Sequence, residues 1–107
     1  MAMYKLVFFV PEDHLEVVKN AVFAAGAGRI GDYEHCSWQV LGSGQFRPLE
    51  GSSPYIGKAH ELTVVSEYRV ELVCEDVLIV QAVRAMISAH PYEEPAYDVW
   101  KLADLKL

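Results

Sequence analysis

Between positions 90 and 98 the chain reads His90-Pro-Tyr-Glu-Glu-Pro-Ala-Tyr-Asp98, an imidazole, two phenols and three carboxylates set between and just beyond two prolines. Imidazole nitrogen and carboxylate oxygen together suit zinc, copper or manganese. His90 with one of Glu93, Glu94 or Asp98 is therefore a candidate donor set for a divalent cation. The same residues also have a purely structural reading. His90 near a helix C-terminus interacts well with the dipole, and Pro91 stops the helix. Glu94, preceding Pro95, is biased to extended backbone and leads into a strand. Residue types leave both readings open, the structural one being the simpler.

Two further histidines extend the metal reading. His60 ends a long Gly/Pro-rich stretch, where ligands are commonly presented. His35 precedes Cys36 on an expected strand, so the two point to opposite faces and cannot readily share one ion, although His35 could reach across the sheet. The candidate metal ligands are thus His90, Glu93, Glu94, His35 and His60. Cys36, sharing a face with Trp38 and Val40, reads as a buried structural thiol, and His14 as a solvated residue in a first helical turn. No Ser-His-Asp or Cys-His arrangement can be assembled, because neither thiol has an obvious activating base. The chain reads as a non-enzyme without catalytic residues. Gly26-Ala-Gly28-Arg-Ile-Gly31 matches G-x-G-x-x-G in letters only: it follows a helix and precedes a strand, the reverse of the dinucleotide context.

The elements that must position these groups follow from periodicity. Tyr4 to Val10 is a strand with apolar residues on both faces, Leu6, Phe8 and Val10 opposite Val7 and Phe9. Pro11-Glu-Asp13 opens a helix whose core stripe is Leu15, Val18, Val22 and Ala25, ended by Gly26 and Gly28. A second strand is expected over Tyr33 to Leu41, then a loop from Gly42 to about Lys58 in which Gln45 to Leu49 could pair back as a short strand. Glu61 to Cys74 reads as a long strand with Tyr68, Val70, Leu72 and Cys74 on one face. Glu75-Asp76 caps a second helix with Ile79, Ala82, Val83 and Met86 inward, and Ala96 to Leu102 closes the fold as a strand.

This order is the α+β, ferredoxin-like βαββαβ arrangement, an antiparallel sheet with two helices on one face, in a single domain over residues 1–107. Two helices leave one sheet face bare. Apolar residues on that face, including Val7 and Phe9, imply a homo-oligomer.

Composition excludes several classes. The 107 residues are 52% hydrophobic and 22% charged, the profile of an ordinary folded domain. Nine basic against fifteen acidic residues give a net charge of −6, and Arg29, Arg47, Arg69 and Arg84 are scattered. No basic stripe exists for a phosphate backbone, so nucleic acid is not an expected partner. Apolar runs such as Leu6 to Val10 fall far short of a membrane helix. With no signal-peptide pattern and two unpaired-looking cysteines, a cytoplasmic location is expected.

Several spaced motifs together carry a resemblance. The 90–98 segment, Gly26-Ala-Gly28-Arg-Ile-Gly31-Asp-Tyr33, Cys36-Ser37, Gly42-Ser-Gly44-Gln-Phe46-Arg-Pro48 and Pro54-Tyr-Ile-Gly57 look like the inserted domain of Nif-three-like (YqfO-type) proteins. That domain is similar in fold to PII signalling proteins and to CutA, the divalent-cation tolerance protein, which carries a similar His-Pro-Tyr-Glu-x-Pro turn. The resemblance implies a trimer and a regulatory or accessory module that binds a divalent metal or small ligand near subunit clefts. A module docking on a metal-dependent partner enzyme is the alternative. The metal-binding core of full-length members has no counterpart here, so any hydrolase activity of theirs does not carry over.

Overall fold

The computed structural model describes residues 2–107. Strand β1 (Met3–Pro11) leads through a short 3-10 turn (Glu12–His14) into helix α1 (Leu15–Ala24). Strands β2 (Trp38–Phe46) and β3 (Thr63–Glu75) follow, then helix α2 (Ile79–Ala89) and strand β4 (Tyr97–Lys101). The four strands form one antiparallel sheet in the order β2-β3-β1-β4. This is the ferredoxin-like α+β fold expected from the order of elements.

Alternation in the strands decides where the core lies. Leu6, Phe8 and Val10 of β1 and Val70, Leu72 and Cys74 of β3 share one face, matched across the ladder as Leu6↔Leu72 and Phe8↔Val70. They pack with Leu15, Val18 and Val22 of α1 and Ile79, Ala82 and Met86 of α2 in one buried cluster. Burying a side chain of this size contributes roughly 1.5–3 kcal/mol, so the double stripe of the helices accounts for their docking. Val7 is also wholly buried, but it lies outside that cluster on the other sheet face, beside Glu71 and Asp98 in register. On that second face Trp38, Val40 and Trp100 remain exposed.

Three sequence expectations shift. The second strand begins at Trp38 rather than Tyr33, because residues 29–37 close on themselves. Ile30 and Tyr33 exchange two backbone hydrogen bonds of 2.9 Å, and His35 takes a left-handed φ of 57° that no strand residue adopts. Cys36 therefore lies before the strand and is only half-buried. The same strand continues to Phe46, so Gln45 belongs to β2 itself, paired with Val64, and not to a separate hairpin arm. Finally, α2 has no side-chain cap: the Leu78 N–H turns back to the Glu75 carbonyl at 3.0 Å, while the Asp76 N–H goes to Ala2.

The true connection between β2 and β3, residues 47–62, has its own order. The Ser52 N–H and hydroxyl both donate to the Leu49 carbonyl, at 3.1 and 2.7 Å, and the His60 N–H donates to Pro48 at 2.7 Å. Gly51 and Gly57, with φ of 87° and 93°, supply the left-handed turns. These bonds let the segment fold back as a unit over the end of the sheet.

Candidate ligand-binding cleft

The chemistry-bearing corner is built by the ends of α2 and β4. His90 is the C-cap of α2, already extended at φ −75° and ψ 139°, and Pro91 prevents another turn. Its ring then turns inward and is buried. Nε2 donates to the Phe9 carbonyl at 2.7 Å, and Nδ1 accepts the Tyr92 N–H at 3.1 Å. These two partners fix one neutral tautomer and occupy both ring nitrogens. Burial pushes the imidazole below its usual range, outweighing the Phe9 carbonyl, which favours the protonated ring; the nearby His14 adds a smaller push downward. A dipole-stabilised imidazolium, as the helix-end reading had it, is thus not what the corner holds. His90 is a structural tie between α2 and β1.

The folded-back connection meets this corner. The Ser53 N–H donates to Glu93 Oε1 at 2.9 Å, and the Tyr55 hydroxyl donates to Asp13 Oδ2 at 2.8 Å. His14 Nδ1 stands 3.1 Å from the other Asp13 oxygen. The close approach of His14 first, and the Tyr55 hydrogen bond second, hold the Asp13 carboxyl below its ordinary range, while the bond to Asp13 pushes the Tyr55 phenol up. Tyr92 is the centre of an aromatic group, with ring centroids 4.9 Å from His90, 6.2 Å from Tyr55 and 6.3 Å from Phe46.

Between the connection and the corner lies a cleft of about 420 Å³, within the range of small-molecule sites. Its walls are mostly apolar, with Phe9, Phe46, Tyr55 and Tyr92 among them, and its charged groups are Glu67, Glu93, Glu94 and Arg47. Burial pushes the Glu67 carboxyl up, and burial followed by the charge of Glu67 pushes the Tyr92 phenol up.

Of the five candidate metal ligands, Glu93 and Glu94 reach this cleft, and His90 lies behind it. The other two stand elsewhere. His35 stacks on Phe23 at 4.6 Å beyond α1, and His60 pairs with Glu50 at 3.1 Å on the far side of the connection. Among the described residues no group of three or more His, Cys, Asp or Glu is placed to hold a metal ion. The donors present do not fit a resident metal in one protomer, because the one buried imidazole has no free lone pair. Sequence reading passed over Tyr55, Glu67 and the ring of Tyr92. Their only local signal is a tyrosine after Pro54 and another after Pro91, since the contacts that join them are entirely tertiary.

No family model matches the chain. It is 50% identical over 98 residues to a GTP cyclohydrolase 1 type 2 homolog of Mycobacterium leprae, covering 92% of this chain and 26% of that protein. A homolog of the same name from Halalkalibacterium halodurans is 46% identical over 103 residues, covering 96% and 28%. Among solved structures, a Bacillus cereus protein related to NIF3 superposes with a TM-score of 0.83 at 43% identity, over 96% of this chain and 26% of that one. CutA from Xylella fastidiosa (TM-score 0.69, 14% identity, 95% and 85% covered) and Bacillus subtilis GlnK (0.57, 17%, 96% and 87%) share the fold. The chain spans about a quarter of the length of the curated relatives it matches. It is therefore similar, almost from end to end, to one segment of the NIF3-related GTP cyclohydrolase 1 type 2 homologs, on the fold that CutA and GlnK share.

Proposed function

We propose that this chain is a non-enzymatic regulatory or accessory module that assembles as a homotrimer and binds a small ligand in the cleft between residues 47–62 and the 90–96 corner. The observation that carries the reading is the cleft itself, an apolar hollow closed by a connection that is tied down at Asp13 and Glu93. Its floor includes Phe9 on the uncovered sheet face, so packing of a second protomer there would set it beside a subunit boundary. Supporting a non-catalytic role, burial pushes the Cys74 thiol up, and Cys36 Sγ donates to the Glu34 carbonyl at 3.8 Å.

A divalent metal, the other ligand considered, is the poorer fit in a single protomer. Exposed His60 with Glu50 supplies two donors, and a third would have to come from another copy. Fragment screening by two-dimensional NMR tests the ligand reading. Saturable shifts should concentrate on the amides of Phe46, Tyr55 and Tyr92; shifts confined to other surfaces would sink it. Zinc or copper titrated in the same experiment should leave those amides unmoved.

A second reading is a domain that docks on a metal-dependent partner protein. It is favoured by the length of the relatives, in which this segment is joined to nearly three times as much further chain. Capture of the remaining part of such a relative, unaffected by chelator or small ligands, would select it.

A further inference from the structure

Strand β3 sets Glu67, Arg69 and Glu71 in one row on the face away from the helices, alternate residues of a strand sharing a face. One cation thus stands between two carboxylates, and it is spent on one of them. Arg69 Nη2 approaches Glu71 Oε2 at 3.5 Å, and Lys5 Nζ stands 3.9 Å from Glu71 Oε1. The Glu67 carboxylate receives neither a hydrogen bond nor an ion pair from any described residue. Its side chain lies over Gly44 on β2, where an added Cβ would collide with the carboxylate. The glycine keeps open the place the carboxylate takes, at the wall of the cleft.

A second group in the same cleft is also unsatisfied. The Tyr92 oxygen is buried from solvent and has no hydrogen-bond partner. An ionised carboxylate only accepts, and a phenol oxygen has acceptor lone pairs, so what the two lack in common is an N–H donor, preferably a charged one. The surrounding rings suit the same occupant, because aromatic faces attract cations. Phe9 shows this already, with the Arg69 guanidinium 5.9 Å above its ring.

We propose that the cleft takes a small organic cation, an ammonium group on an apolar or aromatic stem, with Glu67 as counter-charge, Tyr92 Oη as acceptor and the rings of Phe46 and Tyr55 as walls. The proposal rests on the ligand reading above and names its chemical class. A metal ion is disfavoured by the apolar walls and by the absence, among the described residues, of three converging His, Cys, Asp or Glu. An anion is disfavoured because Glu67, Glu93 and Glu94 stand against Arg47 alone.

The test uses three probes of one shape: 2-phenylethylamine, the neutral 2-phenylethanol and the anion 3-phenylpropionate, each titrated into the 107-residue chain and followed by amide NMR. The amine should bind more tightly than the other two, shifting the amides of Phe46, Glu67 and Tyr92. The isosteric Glu67→Gln should weaken amine binding by about tenfold and leave 2-phenylethanol unchanged, the loss expected for one hydrogen bond to a charged group. Unchanged amine affinity in Glu67→Gln, or an anion that binds as well as the amine, overturns the proposal while leaving a ligand cleft in place. Silence of the cleft amides toward all three probes overturns both. An amine response that vanishes as the chain assembles at high concentration gives the site to a basic side chain of a second copy, and likewise overturns the small-molecule occupant.

Discussion

The imidazole of His90 completes the β-ladder at Phe9. The Phe9 N–H donates to the Ala96 carbonyl at 3.2 Å, but the Phe9 carbonyl takes the His90 Nε2–H at 2.7 Å in place of a strand amide. Pro95 comes just before, and the paired run of β4 starts only at Tyr97, so a side chain supplies what the backbone there does not. The folded chain therefore prefers this ring neutral, and its pKa is lowered, chiefly by burial.

Stability should consequently fall on mild acidification. Above the unfolded-state value of about 6.5, both states hold a neutral ring and the contribution is intact. As pH falls below that value the unfolded chain takes up a proton that the folded chain resists, and stability drops until the lower folded-state pKa is passed. The slope for this one group is at most about 1.4 kcal/mol per pH unit. Urea unfolding of the chain and of His90→Gln between pH 7.5 and 5.5 checks it. The variant should be less stable at the higher pH and show a shallower dependence; parallel curves would exclude His90 as the source.

Tyr55 and Asp13 form the latch of the folded-back connection. Both are exposed, and their 2.8 Å bond joins residues far apart in sequence. Tyr55→Phe or Asp13→Asn should leave the global unfolding midpoint nearly unchanged, since the core lies elsewhere. Local opening should rise instead. Hydrogen exchange at Ser52, Ser53 and His60, and proteolysis within residues 47–62, should both become faster in either variant. If exchange is unaltered, the latch is held by the Ser53–Glu93 bond alone.

The two glycines that bracket the turn after α1 should respond differently to alanine. Gly28 has φ 80°, and a Cβ there would lie 2.8 Å from the Phe23 ring and 3.0 Å from the Cys36 carbonyl. It also donates to Val73 and accepts from Cys36, both at 2.8 Å, so it cannot move aside freely. Gly31 has φ 56° with open space around it. Gly31→Ala should cost about 1 kcal/mol, the left-handed penalty alone. Gly28→Ala should cost about 2–4 kcal/mol once overpacking is added. Thermal unfolding of the pair gives the difference directly.

How much of this was legible in the sequence depends on the range of the forces involved. The stripes Leu15-Val18-Val22-Ala25 and Ile79-Ala82-Val83-Met86, and the alternation Tyr68-Val70-Leu72-Cys74, are local patterns; nine of the twelve residues are buried, while Ala25, Val83 and Tyr68 are partly buried against them. The start of β2 was not legible, because the alternation over Tyr33 to Leu41 is blurred and gives no sign of the Ile30–Tyr33 bridge that closes the segment into a turn. The role of His90 was only half legible. Its place as a helix stop follows from Pro91, but its bond to Phe9 spans the whole domain and leaves no local trace. Glu67 was invisible for a related reason: Glu67 and Glu71 flank Arg69 alike in the sequence, and only the folded geometry shows Arg69 and Lys5 both turned to Glu71.

The sheet face opposite the helices supplies the last prediction. Trp38 and Trp100 are 56% and 43% exposed on the two edge strands of that face, with Val40 beside Trp38 in the same row. A lone exposed tryptophan needs no explanation, but two on one face, with Val40, leave apolar groups on both sides of the charged Glu67-Arg69-Glu71 row of β3. Tryptophan at the centre of an interface commonly carries about 2 kcal/mol or more of the association energy, and a buried unpaired carboxylate in its place costs further. Trp38→Glu and Trp100→Glu should each weaken assembly by about tenfold or more, as read by light scattering over a dilution series. Because both sites are exposed in the protomer, circular dichroism should remain that of the folded chain. Retention of the wild-type mass by both variants would place the interface away from this face, and a monomeric wild type at every concentration would remove the trimer itself.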